Sequence, residues 1–231
     1  MIDEGGVLEA LSTVRDPELD EPITELGFVE RVEINGATVS LKLVLPTFFC
    51  APNFAYIMAA DAKAALAGVD GVKKVKVVLD DHFASSEINE GLANDRDFEE
   101  TFPGDTSGEG LSDLRDLFTR KAFISRQERL CRSMLAAGRD ADALTRLVVQ
   151  DLVESPETRA YLARRAELGI DTSDAAPFLV TPAGRPISDG AVKEHMRFAR
   201  TVSVSIQGNS SFCRGLLETR YGRTRPQEAR T

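Results

Sequence analysis

The 231-residue chain is poor in the residues from which self-contained metal and redox sites are made: it has three cysteines, Cys50, Cys131 and Cys213, and two histidines. The cysteines are odd in number, widely spaced and never in a CxxC pair, which excludes a disulfide framework and a closed zinc site written into one segment. Any bound metal must therefore be held by mixed ligands or shared with a partner. A thiol-disulfide enzyme needs a second cysteine beside the first, and none is near Cys50 in sequence. There is no glycine-rich phosphate loop and no HExxH, and two histidines are few for a conventional acid-base site, so the chain is not expected to be an enzyme. No apolar run approaches the roughly 20 residues of a membrane-spanning helix. The opening "MIDEGG" lacks the basic and apolar parts of a secretory signal. The expectation is a cytoplasmic protein with no membrane partner.

What is present is unevenly distributed. Residues 1–84 carry 14 acids and 7 bases, residues 85–110 carry 8 acids and 1 base, and residues 111–231 carry 15 acids and 20 bases, 18 of them arginine. Arginine forms bidentate contacts with carboxylates and phosphates, so the C-terminal region is expected to dock an acidic partner surface. Its bases alternate with acids and the whole chain has a pI near 4.9, which argues against nucleic acid as that partner.

The N-terminal third is strongly periodic. Val7, Leu8, Leu11 and Val14 recur at helical spacing up to "RDPEL", where Pro17 biases Asp16 away from helical dihedrals. "FVERVEI" and "TVSLKLVL" read as two strands, the second alternating Val39, Leu41, Leu43 and Leu45 with Thr38, Ser40, Lys42 and Val44. Asn35-Gly36 between them signals a tight hairpin turn. Phe54, Ile57, Met58, Asp61, Ala62, Ala65 and Leu66 lie on one helical stripe, and Val72 to Leu79 gives a third strand after Gly68 and Gly71. This helix, strand, strand, helix, strand order predicts an α+β domain over residues 1–84, its last strand joined in parallel to an earlier one. Residues 85–110 lose the periodicity and gain acids, glycine and serine, which predicts a solvated, extended linker with room for one short helix.

Residues 111–231 form a mostly helical region. Helices are expected from Ser112 to Gly138, from Asp140 to Val153, from Pro156 to Leu168 with Ser155 as cap, and over "SDGAVKEHMRFARTV". A short hairpin is expected in "APFLVTPAGRPI" and a last helix near Cys213, with Asn209, Ser210 and Ser211 as caps. Cys131 falls on an apolar helical stripe with Ile124 and Leu135 and reads as core, Cys213 as packing or as a thiol near a first helical turn, and His195 as partly exposed.

Cys50, in "LPTFFCAPNFAYIM", stands where a strand runs out and a helix begins. Pro52 suits the first helical position, so Cys50 falls just outside it, beside unpaired backbone N–H groups and the positive end of the helix dipole, a placement that favours a reactive thiolate. Phe48, Phe49 and Phe54 around it suit a buried apolar filler equally well.

Asp16-Pro17-Glu18 after the first helix, Leu26-Gly27-Phe28-Val29 entering the first strand, and Thr47 with Cys50 after the second resemble the small iron-sulfur assembly domain typified by the PaaD and SufT proteins and found in eukaryotic cytosolic iron-sulfur targeting factors. The resemblance covers roughly residues 5–83. It departs in the cysteine loop, where two phenylalanines precede Cys50 and Ala51 separates it from Pro52. The resemblance implies a maturation factor that carries iron or an iron-sulfur cluster transiently, with Cys50 as the cofactor ligand, and delivers it to a client apo-enzyme such as a multicomponent diiron oxygenase. Other cluster-assembly proteins are implied as partners, and a homodimer would share a cluster across a two-fold axis. Asp16, Glu18 and His82 are the candidate further ligands. Each also has a plain reading: Asp16 bonding the backbone of its own turn, Glu18 a surface carboxylate, and His82 a solvated strand-end residue whose pKa Asp80 and Asp81 would raise. The alternative to a carrier is a non-metallated adaptor or chaperone that recognises an apo-enzyme, in which Cys50 is incidental.

Overall fold

The computed structural model describes residues 2–104 and 111–222. Backbone contacts divide the chain into two units, Met1–Asp113 together with Asn209–Thr231, and Leu114–Gly208. In the first, helix α1 (Glu4–Ser12) starts where the Asp3 carboxylate accepts the Gly5 and Gly6 amides, and its Val7 and Leu11 are buried. The chain then folds into the 16–21 loop and a single turn, α2 (Ile23–Leu26), closed by Gly27 at φ 79°. A left-handed residue there releases the chain into a strand at little steric cost.

Strands β1 (Val29–Asn35) and β2 (Thr38–Val44) pair antiparallel, with Asn35 opposite Thr38. The turn residues are thus Gly36 and Ala37, one position beyond the Asn-Gly signal, and Gly36 takes the positive φ of 62°. Helix α3 (Pro52–Ala67) returns the chain so that β3 (Lys74–Asp80) runs parallel to β2, giving the order β1-β2-β3. The alternation read from β2 holds: Val39, Leu41 and Leu43 enter a core with Ala55, Met58, Ala59, Ala62 and Leu66 of α3. This is the expected α+β order.

Residues 85–102 differ from the extended linker expected there. Helix α4 (Ser85–Ala93) buries Ile88 and Leu92 in the same core, and α5 (Phe98–Thr101) begins at an Asp97–Glu100 capping box. The Asn89 amide clamps α4 to the sheet by accepting from Leu79 N at 2.8 Å and donating to Leu79 O at 2.9 Å. Acidic composition marks one solvated face of these helices, while the spacings Ile88–Leu92 and Phe98–Phe102 supply the buried one. Residues 105–110 of the expected linker lie outside the described residues.

In the second unit α6 (Leu111–Ala136), α7 (Pro156–Glu167) and the first part of α8 (Val192–Tyr221) surround a core of Phe123, Leu144, Tyr161, Phe178 and Val180. Helix α7 has the Ser155 cap and Pro156 start read from the sequence. Residues 140–153 are two 3-10 turns instead of an α-helix, Ala141–Arg146 and Val149–Asp151. Their backbone is drawn away by the 174–178 segment, because Val148 bridges Pro177 and Val149 N donates to Ala176 O. The expected hairpin is a tight turn with one bridge, Val180 to Pro186. No separate helix starts at Asn209; α8 runs unbroken through it, so the region 111–231 is shared between units at Gly208.

Several arginines of the expected docking region serve the fold. Arg165 is only 1% exposed and donates to Tyr161 Oη and to the Phe178 and Asp171 carbonyls. Glu128, equally buried, pairs with Arg132 and Arg200. His195 joins the neighbouring network through Gln127 Oε1 at 2.9 Å, and burial holds its pKa below the ordinary value.

Candidate functional site

Cys50 is half-buried at the end of the loop that follows β2, one residue before the Ala51 cap of α3, with Pro52 at the first helical position. Two contacts fix it. Its Sγ lies 3.3 Å from the Thr47 hydroxyl, and that hydroxyl accepts the Phe49 amide at 3.2 Å. Its carbonyl is 2.7 Å from His82 Nε2.

His82 is 2% exposed, not solvated. Its Nδ1 accepts the Ala84 amide at 3.2 Å, so the proton is on Nε2 and is donated to Cys50 O. Both ring nitrogens are occupied by backbone, which makes His82 an anchor for the cysteine loop and leaves it no lone pair to offer a metal. Burial holds its pKa below the ordinary value, with Arg220 pushing the same way and the Cys50 carbonyl opposing. The rise expected from Asp80 and Asp81 is absent because desolvation dominates.

Asp16 is also buried, and its Oδ1 accepts the Glu18 and Leu19 amides at 2.9 and 2.8 Å. It closes the 16–21 loop, assisted by Asp20 N to Asp16 O at 2.9 Å. Burial raises its pKa to about 6 despite those two bonds. The Glu18 carboxylate is half-buried and accepts from the Asn209 amide at 3.1 Å.

Asn209 introduces the feature that sequence reading missed: the last turns of α8 lie against the cysteine domain. Ser210 donates to Glu21 at 2.6 Å, and Arg214 pairs with the same carboxylate and donates to Glu25 O at 2.6 Å. Leu217, 3% exposed, packs into the first core. Farther along, Arg220 donates to Leu45 O at 3.2 Å and Asp81 O at 2.7 Å, and the Tyr221 hydroxyl donates to Asp81 at 3.0 Å. Cys213 sits between these anchors and packs on the same core as Cys50. The spacing Ser210, Cys213, Leu217, Arg220 marks one helical face and was the available signal; nothing local says which domain that face meets. Cys131 is fully buried in the second unit, and burial with the nearby Glu128 charge pushes its thiol up to about 12, as suits a core residue.

Phe48, Phe49 and Phe83 form an exposed aromatic group beside Cys50, 41%, 78% and 48% exposed. Their ring centroids lie 5.1 to 6.4 Å apart. Phe83 N donates to Phe48 O at 3.1 Å, tying the two loops together. Among the described residues no three His, Cys, Asp or Glu side chains converge as a metal site, and no helix is long and apolar enough to cross a membrane.

A three-stranded sheet with α3 and α4 packed on it, an Asp-Pro-Glu loop and a cysteine loop at the end of the central strand define a small α+β cysteine-loop domain. The family model described as iron-sulfur cluster assembly protein matches residues 4–78, and the chain belongs to that family through this N-terminal third. An uncharacterized protein of Methanocaldococcus jannaschii is 37% identical over 93 residues, 40% of this chain and 96% of that protein. Iron-sulfur cluster carrier proteins of Deinococcus radiodurans and Synechocystis are 41% identical over 71 residues and 40% over 77, about a third of this chain. The chain spans about a fifth of those two relatives' length, 20% and 21%. No solved structure matches the chain significantly.

Proposed function

We propose that this protein is an iron-sulfur cluster or iron carrier that serves the maturation of a client protein, with Cys50 as the coordinating thiol. The observation that carries the reading is the placement of Cys50: half-buried, next to the α3 N-terminus, in a loop held by the neutral imidazole of His82 and the Thr47 hydroxyl. A carrier must hold its cargo and then release it. One or two soft thiolates with replaceable further ligands suit that better than a closed cage of four. Family membership over residues 4–78 and the two carrier relatives support the cargo class. A multicomponent diiron oxygenase is the client implied by the resemblance of the cysteine domain to the PaaD kind.

The test is anaerobic reconstitution with iron and sulfide, followed by iron counting and visible absorbance. Wild type is expected to retain iron and Cys50→Ser to lose it; equal retention by both overturns the reading. The exposed Phe48, Phe49 and Phe83 rings favour a second reading, an adaptor that binds the apo-client through an apolar patch. An adaptor would bind its client equally well as wild type and as Cys50→Ser, with no Cys50-dependent metal.

A further inference from the structure

We propose that Cys213, on the C-terminal turns of α8, is the second protein thiolate beside Cys50 for a thiophilic metal ion or the iron of a cluster. The inference rests on the carrier reading and adds a ligand that lies outside the family-matched residues 4–78. Three independent features place the second thiol. The 209–221 stretch is anchored at one end to Glu18, Glu21 and Glu25 by Asn209, Ser210 and Arg214, and at the other, where the cysteine loop leaves β2 and meets His82, to Leu45 and Asp81 by Arg220. Cys213 falls on the inward face between these anchors, with Ser210 and Leu217, one turn to either side, both buried. Cys50 and Cys213 are both half-buried and pack on one core.

The electrostatics suit a cation. Burial, and then the charges of Asp16, Cys50 and Glu18, push the Cys213 thiol up to about 11. An environment that resists a lone anion welcomes an anion bound to a metal, because the ion supplies the missing positive charge. Each thiol gives up its proton as the metal binds. Two thiolates from one chain leave coordination positions open, to be filled by a second copy or by the receiving protein, which keeps the cargo transferable.

The probe is cadmium ion, titrated anaerobically into the full-length protein and read by thiolate-to-cadmium charge-transfer absorbance. Wild type is expected to show the intensity of two thiolates per metal. Cys213→Ser is expected to halve it and weaken binding by at least roughly the tenfold that loss of a supporting group costs. Full intensity in Cys213→Ser together with its loss in Cys50→Ser overturns the second ligand and leaves the carrier reading standing. If neither variant differs from wild type, or wild type binds no metal, both fail. A readout on wild type alone guards against a misfolded variant: a short bis-bromomethyl reagent should bridge Cys50 to Cys213 within one chain, as mapped by peptide mass. Single alkylation of each without a bridge rejects the pairing.

Discussion

Two buried titratable side chains each hold a loop of the first unit, Asp16 the 16–21 loop and His82 the cysteine loop, and each makes a measurable statement. Asp16 has its pKa raised from 3.8 to about 6 by burial, so the folded state holds that proton more tightly than the unfolded chain does. The stability this proton contributes is present below about pH 4 and lost as pH rises through about 6, on the order of 3 kcal/mol in all. Asp16→Asn keeps an Oδ1 acceptor for the Glu18 and Leu19 amides and removes the titration. Urea midpoints should therefore show the variant gaining on wild type between acidic and neutral pH; a constant difference would refute the assignment. His82 acts in the opposite sense, since its lowered pKa gives stability that is present above about 6.5 and lost as pH falls through the folded value. Replacing it by alanine strands Cys50 O and Ala84 N, at a cost of about 2 kcal/mol or more. The alkylation rate of Cys50 in that variant should rise as its loop loosens, and an unchanged rate would mean the histidine does not position the thiol.

At the level of the element, helix propensity and packing compete at Gly91. Alanine there favours an exposed helix by about 1 kcal/mol. Here, however, an added Cβ would stand 2.3 Å from the Thr101 hydroxyl, which is held by its bond to Asp97 O. Packing should win, and Gly91→Ala should lower the melting temperature by loosening α5 from α4. Leu217→Ala should likewise cost about 2–5 kcal/mol by opening a cavity in the first core. Such elements also show what the sequence made legible. The alternation in β2 and the stripe of α3 were readable because each buries one face against its immediate chain neighbours. Helix α4 was obscured because its acids surround a short buried face of Ile88, Gly91 and Leu92, only two of them large and apolar. The 140–153 segment looked helical until its backbone found partners at 174–178, a pairing no local window contains. Of the site, Cys50 and the Asp-Pro-Glu loop were legible as motifs. The occupied nitrogens of His82 and the docking of the last α8 turns depend on contacts between residues far apart in the chain.

On the scale of the molecule, α8 is a member of both units, with the division at Gly208. A helix shared in this way should tie their unfolding together, so wild type is expected to melt in one calorimetric transition. Gly208→Pro interrupts the helical hydrogen bonds at about 3 kcal/mol and should resolve two transitions. Persistence of a single one in that variant would show that the shared helix does not carry the coupling.

The discontinuity of the first unit bears on its synthesis. Ribosomes extend chains from the N-terminus and domains generally fold as units. Cys50 emerges with its strand and its helix, long before the turns carrying Cys213, Leu217 and Arg220 are synthesised. The nascent chain therefore presents Cys50 beside an apolar face that still lacks Leu217, and the first unit can close its core only after those later turns have emerged.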